Sequence, residues 1–259
     1  MRLLVDFLCR FGWGLSAALV ITPAALVPAG FFRVNLLVVL GLATFAALLA
    51  GRLPPTGGWA LPAAAAVAAW LGSIAWFAER LPAGRVFCGA TAVLMAAATA
   101  LVHAAAGWTA AGMGSTAAAL LSGLVTGLTV HAMLLGHWYL NAPGMRVDVL
   151  RRMIDAALVV WAVQLVATLS LAVMQPGHPL SPADLVTAAP NSATAVGQTT
   201  IALLWLRWLA GLVGLPVLLW LARKTLEIPN TQSATGILYV ACLAAILGEL
   251  TAQLLTVPA

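Results

Sequence analysis

Runs of about 20 apolar residues recur along the whole chain and limit its fold more than any other feature. Of its 259 residues, 63% are hydrophobic and only 7% are charged, whereas soluble domains carry about 25% charged residues. A soluble fold cannot bury so much apolar surface, but a helix of about 20 apolar residues crosses the hydrocarbon core of a membrane. The sequence therefore predicts an all-α integral membrane protein, a bundle of about eight transmembrane helices with short loops.

The spans are placed by the apolar runs and by the Pro, Gly and charged residues between them. Their predicted ranges are 11–29, 32–51, 59–79, 85–105, 116–140, 150–174, 198–223 and 232–256. The first span starts after Asp6 and Arg10, two charges that interrupt the apolar pattern. We expect one polytopic domain over residues 1–259, with a longer extracytoplasmic loop at 176–197 and no room for a soluble domain.

Lys and Arg residues are divided unevenly between the two sets of loops. One set contains Arg33, Arg80, Arg85, Arg146, Arg151, Arg152, Arg223 and Lys224, and the other contains Arg2, Arg10 and Arg52. Because cytoplasmic loops are enriched in Lys and Arg, the first set is expected inside. This predicts a multi-pass protein of a bacterial-type inner membrane with both termini outside. Since the basic residues are scattered singly, the expected partner is the lipid bilayer and not nucleic acid.

The fifth predicted span carries a glycine face that ends in a histidine. Gly123, Gly127, His131 and Trp138 are separated by steps of four and seven and share one side of a helix. The glycines let a neighbouring helix approach closely, and His131 would lie near the middle of the bilayer. His131 could be a haem ligand, a proton relay or a hydrogen-bond donor to a buried ligand. The alternative is a neutral histidine bonded to a neighbouring helix.

His137 and Tyr139 follow at the end of the same span, with Trp138 between them. Aromatic residues at this depth often form a belt that anchors a helix at the membrane surface. An imidazole and a phenol at the membrane edge can also exchange protons with water, so contact with a quinone or a lipid head group is the second hypothesis.

Arg207 lies inside the seventh predicted span. A charged residue there costs at least ~2.5–3.5 kcal/mol, and because Arg does not release its proton it needs acceptors. We expect either an internal ion pair or a ligand-binding role. Gln164, in the middle of the sixth span, is a further buried polar candidate.

The eighth predicted span has a polar stripe on one side. Its members are Thr231, Thr235, Tyr239, Cys242, Ile246, Glu249 and Gln253. The stripe is either the wall of a path for protons or substrate, or the face that packs into the bundle. Glu249 could pair with Arg207, or it could form an outer-side cluster with Gln253 and with His103 of the fourth span.

Several familiar catalytic motifs are missing. The sequence has no Gly-rich phosphate loop, no HExxH, no GxSxG and no Asp-rich metal pair. The three cysteines form no CxxC pair, so we expect them to be packing residues and predict no metal site. Whether the protein is an enzyme stays open, and no catalytic residue is predicted.

In span number and in its sparse buried His, Arg and Glu residues, the chain resembles the quinone-reactive integral subunits of bacterial respiratory complexes. The resemblance is one of architecture and carries no motif. It implies a subunit that binds a quinone or another lipophilic ligand, or conducts protons, with other membrane or redox subunits as partners in electron transport. Haem is less favoured as a cofactor, because no pair of histidines at matched depth is evident.

Two alternatives belong to other classes. The protein could be a transporter or flippase for a small or lipidic substrate, with Arg207 binding an anion. It could also be a structural or assembly protein whose buried polar groups only fix helix packing. A cavity reaching His131 and Arg207 favours the first two hypotheses, whereas tight packing with satisfied partners favours the third.

Overall fold

The computed structural model describes a helical bundle over residues 1–53, 58–104, 110–142, 146–174, 195–228 and 230–255. Its elements are α1 (Arg2–Ile21), α2 (Ala29–Ala50), α3 (Ala60–Phe77), α4 (Leu81–Ala104), α5 (Ala110–Asn141), α6 (Asp148–Met174), α7 (Ala195–Leu206), the π-helix π1 (Arg207–Gly214), α8 (Leu215–Thr225) and α9 (Thr231–Leu255). Because α7, π1 and α8 are continuous, the described residues contain eight helical stretches long and apolar enough to cross a membrane. The predicted all-α bundle is confirmed.

The bundle consists of two four-helix units joined by their first helices. In the first unit α1 contacts α2, α2 contacts α3, α3 contacts α4, and α4 returns to α1. In the second, the order is α5, α6, α8 and α9, and α9 returns to α5. The contact between α1 and α5 joins the two units, so residues on these two helices lie at the centre of the bundle.

Successive spans alternate in direction, which defines two membrane faces. At the N-terminal face α1, α3, α5 and α7 begin, and α2, α4, α6 and α9 end. The opposite face is called the basic face, because the eight Lys and Arg residues of the larger predicted set lie there. The predicted loop at 176–197 lies outside the described residues except for its last three residues, where α7 begins at Ala195.

Glycine residues bring α1 and α5 into backbone contact. A Cβ atom on Gly14 or Gly127 would overlap the backbone of the opposite helix, and a Cβ atom on Gly123 would lie 2.5 Å from the carbonyl oxygen of Arg10. The predicted close approach along the glycine face of the fifth span is therefore confirmed. Small residues allow such contacts in membranes, where apolar burial gives little drive for helices to associate.

The predicted first span, 11–29, is wrong, because α1 begins at Arg2 and ends at Ile21. Asp6 and Arg10 are inside the helix, where they pair with each other one turn apart. Pro23 lacks a backbone N–H donor and follows the end of α1, as expected for a helix-terminating residue. The other seven predicted spans overlap the observed helices, and the largest shift is at α5, which begins at Ala110 instead of 116.

The central crossing generates a prediction about stability. Gly127→Ala should lower the free energy of unfolding by about 1–3 kcal/mol, the usual cost of overpacking, because the clash is with backbone. Gly41→Ala in α2 is the matched control: a Cβ atom there meets nothing within 4 Å, so the change should be neutral or stabilise by up to ~1 kcal/mol. Unfolding can be followed with a thiol-reactive fluorogenic dye, since all three cysteines are buried. Equal effects of the two substitutions would contradict the crossing.

Candidate functional site

A buried charge network connects α1, α4 and α9 near the N-terminal face. Arg10 is at its centre: its Nη2 lies 2.5 Å from Asp6 Oδ2, and its Nη1 lies 2.8 Å from Glu249 Oε1. Gln253 Nε2 donates to the same Glu249 oxygen at 2.9 Å. One guanidinium therefore bonds two carboxylates from helices far apart in the sequence.

His103 completes this network from the end of α4. Its Nε2 lies 3.1 Å from Asp6 Oδ1 and 3.0 Å from Arg10 Nη2. A single ring nitrogen cannot serve both partners in one state, because an N–H donates to a carboxylate whereas a lone pair accepts from a guanidinium. His103 Nε2 can therefore exchange partners when it gains or loses a proton, without a change in the position of the ring.

Exposure of the network decreases from the N-terminal face inward. The side chain of His103 is 19% exposed, that of Arg10 is 12% exposed and that of Asp6 is 9% exposed. The side chain of Glu249 is only 4% exposed. Because His103 contacts both Asp6 and Arg10 and Arg10 bonds Glu249, the network joins a partly exposed histidine to a buried carboxylate.

Arg207 lies next to Glu249 at the start of π1. It is 7% exposed, and its Nη1 donates to the carbonyl oxygen of Gly248 at 3.1 Å. Its Nε has no hydrogen-bond partner among the described residues. A Cβ atom on Gly248 would lie 2.6 Å from the Cα atom of Gly211, so π1 and α9 are in close backbone contact here. This contact brings the Gly248 carbonyl oxygen within hydrogen-bonding distance of Arg207.

The π-helix was not predicted from the sequence. Such segments insert an extra residue per turn and are frequent at functional sites. In π1 the wider turn directs the Leu209 carbonyl towards Gly214, where a Cβ atom would lie 2.5 Å from that oxygen. Trp161 of α6 donates its indole N–H to the carbonyl of Gly211 at 3.3 Å and ties π1 to its neighbour.

A small cavity of about 30 Å³ lies between α5, α6, π1, α8 and α9. Its polar lining residues are Ser122, Thr126, Gln164, Arg207 and Glu249. By the usual requirement of about 10–15 Å³ per buried water, it has room for about two water molecules or one small ion. Because Glu249 borders both the cavity and the charge network, the two form one continuous polar region.

His131 does not reach this region. It is 0% exposed, its Nε2 lies 2.8 Å from Thr22 Oγ1, and its ring packs edge-on against Phe31 at 5.2 Å between centroids. Thr22 uses its own hydroxyl proton on the Ala18 carbonyl, so the imidazole donates from Nε2. The arrangement is that of a neutral histidine bonded to α1. This contact corresponds to the alternative of a histidine bonded to a neighbouring helix, and His131 Nδ1 has no hydrogen-bond partner among the described residues.

His137, Tyr139 and Tyr239 lie in the half of the bundle near the basic face. The Tyr239 hydroxyl is 3.2 Å from His137 Nδ1, and both side chains are exposed. Tyr139 is only 6% exposed and donates to the carbonyl of Arg146. The structure therefore separates the sequence stretch 137–139 into an exposed histidine and a buried tyrosine.

The polar stripe of α9 divides into two parts. Near the basic face it packs against α5: the Cys242 thiol donates to the Thr129 carbonyl at 3.6 Å, and Thr235 lies against Gly136. Near the N-terminal face its Glu249 and Gln253 join the charge network. The stripe begins with an Asn230 cap, whose Oδ1 accepts from the backbone N–H of Ser233 at 3.0 Å.

Of the eight candidates named from the sequence, the structure brings together four. His103 and Glu249 meet in the network, and Gln164 and Arg207 meet Glu249 at the cavity, whereas His131, His137, Tyr139 and Tyr239 lie elsewhere. Asp6 and Arg10 were missed, and the ion pair of Glu249 is with Arg10 and not with Arg207. The available signal was the Asp6–Arg10 spacing of four, which places opposite charges on one helix face.

The described residues contain no group of three or more His, Cys, Asp or Glu side chains that could hold a metal ion. The network is held by hydrogen bonds and ion pairs. Outside the spans, Lys224 Nζ donates to Glu227 Oε1 at 2.9 Å, and this hydrogen bond lowers the pKa of the exposed Glu227 carboxyl.

The fold and the network define a polytopic α-helical membrane protein with a buried, partly titratable polar region. Comparisons of the chain with protein-family models, with curated proteins and with solved structures found no match. Its function is therefore argued from geometry and charge.

Arg10 provides a quantitative test of the network. Arg10→Met leaves Asp6 and Glu249 without their shared guanidinium and should lower the free energy of unfolding by about 3–5 kcal/mol. Arg52→Met at the same face removes an exposed charge and should change it by at most about 0.5 kcal/mol. Adding Glu249→Gln to Arg10→Met should recover part of the loss, because one uncompensated charge is removed. Additive losses in thermal unfolding would contradict the pairing.

Proposed function

We propose that the protein takes up protons at its N-terminal face and transfers them to the centre of the bilayer, through the charge network and the adjoining cavity. The observation that carries this proposal is the continuous set of titratable groups, from the 19%-exposed His103 to the 4%-exposed Glu249. Ionisable residues buried in a membrane commonly mark such paths.

The position of His103 suits it to be the entry group. It has the most exposed side chain of the network, at 19%, and its Nε2 faces both Asp6 and Arg10. A proton on Nε2 is donated to Asp6, and its loss turns the same nitrogen into an acceptor for Arg10. Proton uptake therefore changes the bonding of Arg10 directly.

Arg10 interrupts direct proton transfer between Asp6 and Glu249, so that transfer depends on a change in the pairing of Arg10. A guanidinium does not release its proton, so Arg10 cannot itself relay one between Asp6 and Glu249. A proton that reaches either carboxylate weakens the attraction of that carboxylate for Arg10 and shifts the pairing towards the other. The two carboxylates thus compete for one cation, and Glu249, which borders the cavity, is the innermost proton acceptor of the network.

The charge distribution favours an orientation with the N-terminal face outside. Arg207 is buried, and the Arg10 side chain is 12% exposed and paired with Asp6 and Glu249. This leaves Arg2 and Arg52 as exposed basic residues at the N-terminal face, against eight Lys and Arg residues at the basic face. Removal of Arg10 from the count strengthens the asymmetry on which the positive-inside rule depends. The proposed proton uptake is then extracytoplasmic, and both termini are outside.

Quinone binding and membership of a redox complex stay predictions. The exposed His137–Tyr239 pair supports a quinone contact best, because an imidazole and a phenol together can donate and accept protons. The cavity beside Arg207, at about 30 Å³, is far smaller than the roughly 300–1,000 Å³ of ligand pockets. A quinone would therefore not fit beside Arg207, and the contact proposed for it is the exposed His137–Tyr239 pair.

The orientation can be tested with single added cysteines. Gly58→Cys at the N-terminal face and Glu227→Cys at the basic face are both at exposed positions, and the native cysteines are buried. A membrane-impermeant maleimide should label position 58 in intact spheroplasts and position 227 only after permeabilisation. The reverse pattern would place proton uptake on the cytoplasmic side.

Proton transfer can be tested by charge displacement on a solid-supported membrane. A proton that moves part of the way across a bilayer produces a transient current, so a pH jump should give such a current with wild-type protein. Glu249→Gln should abolish it, because the innermost proton acceptor of the network is removed. Glu227→Gln, which changes an exposed carboxylate to the same amide, should retain it. A current of equal size in Glu249→Gln would exclude the proposed path.

A further inference from the structure

The cavity beside Arg207 has unused hydrogen-bond donors. Arg207 and Ser122 are 7% and 6% exposed, and neither Arg207 Nε nor Ser122 Oγ has a hydrogen-bond partner among the described residues. A buried polar group without a partner costs about 1–3 kcal/mol, and a charged one costs more. Both residues line the same cavity, so a single ligand could satisfy both.

Arg207 lacks a close anionic partner as well. The nearby carboxylate, Glu249, is bonded through one oxygen to both Arg10 and Gln253, and no ion pair within 4 Å joins it to Arg207 among the described residues. The guanidinium has five N–H donors, and among the described residues it forms one hydrogen bond, to the Gly248 carbonyl. A permanent cation in a region of low dielectric constant is stabilised most by an anion that it contacts directly.

We propose that this cavity binds one monovalent anion of halide size, held by the guanidinium of Arg207 and the hydroxyl of Ser122. The volume of about 30 Å³ accepts an ion roughly as large as a water molecule, but not a phosphate ester or an organic acid. Gln164, which also lines the cavity, offers a further N–H donor. The proposed anion site does not depend on proton transfer through the network.

Charge balance couples this site to the network. With His103 neutral, the cations Arg10 and Arg207 balance the anions Asp6 and Glu249, so a bound anion adds one negative charge. Protonation of His103, which faces Asp6 and Arg10 from α4, cancels that charge. Anion binding should therefore be accompanied by proton uptake, and the anion affinity should increase by up to about tenfold for each unit of pH decrease.

The test is the thermal unfolding midpoint of the purified full-length protein, measured as chloride replaces gluconate at constant ionic strength. A ligand that binds only the folded state raises this midpoint saturably. The wild-type protein should show such a rise, with a lower half-saturating chloride concentration at pH 5.5 than at pH 7.5. Arg207→Met should abolish the rise, and Arg33→Met, which removes an Arg that stacks on Phe77 away from the cavity, should leave it unchanged.

Ser122→Ala keeps the test decisive if Arg207→Met does not fold. It removes one hydroxyl from the cavity and should raise the half-saturating chloride concentration by about tenfold, as expected for the loss of one hydrogen bond to a charged group.

The absence of a saturable rise in the wild-type protein would mean that the cavity holds water only. Wild-type behaviour of both Arg207→Met and Ser122→Ala would equally overturn the site. A pH-independent response would refute the coupling to His103. The chloride titration measures an unfolding midpoint, whereas the test of proton transfer measures a current. A failure of the anion site can therefore be distinguished from a failure of proton transfer.

Discussion

Arg10 is a permanent positive charge within an apolar bundle, and the N-terminal half of the structure depends on how that charge is compensated. Its guanidinium bonds Asp6 on its own helix and Glu249 on α9, and it contacts His103 of α4. The hydrophobic effect contributes little to helix association inside a membrane. The hydrogen bonds and ion pairs of Arg10 therefore help to determine which helices pack together and in which register. Loss of the guanidinium would leave two carboxylates buried without a cation, which is the costly way to break such a network.

The charge network in turn depends on glycine. The Arg10 carbonyl abuts Gly123, and Gly14 meets Gly127, so the depth of Arg10 is fixed by the α1–α5 crossing. A second glycine contact, Gly211 with Gly248, brings π1 against α9 immediately before Glu249. Side chains at these positions would separate the helices and withdraw the Gly248 carbonyl from Arg207. Close backbone packing and buried charge are thus two parts of one arrangement.

The sequence predicted most of what depends on local periodicity. Span number follows from apolar run length, and the glycine face followed from steps of four and seven, which placed His131 towards a neighbouring helix. The start of α1 was mispredicted because Asp6 and Arg10 interrupt the apolar pattern, which placed the start of the span after them. Whether a charge can be buried depends on partners such as Glu249, 239 residues away, and no periodicity within one helix reveals them. For the same reason π1 and the size of the cavity could not be predicted, since both depend on tertiary packing around Gly211 and Gly248.

His131 and the charge network show two different uses of polar residues in one bundle. His131 is enclosed, donates one hydrogen bond to Thr22 and faces an aromatic ring, and its Nδ1 has no partner among the described residues. A network needed only for packing could consist of one ion pair, such as Arg10 with Asp6. Instead, one histidine nitrogen is shared between a carboxylate and a guanidinium, two carboxylates share one cation, and two buried donors border a cavity. Such features cost stability, and within the network the side-chain exposure decreases from His103 to Glu249. This arrangement favours transfer of charge over a purely structural role.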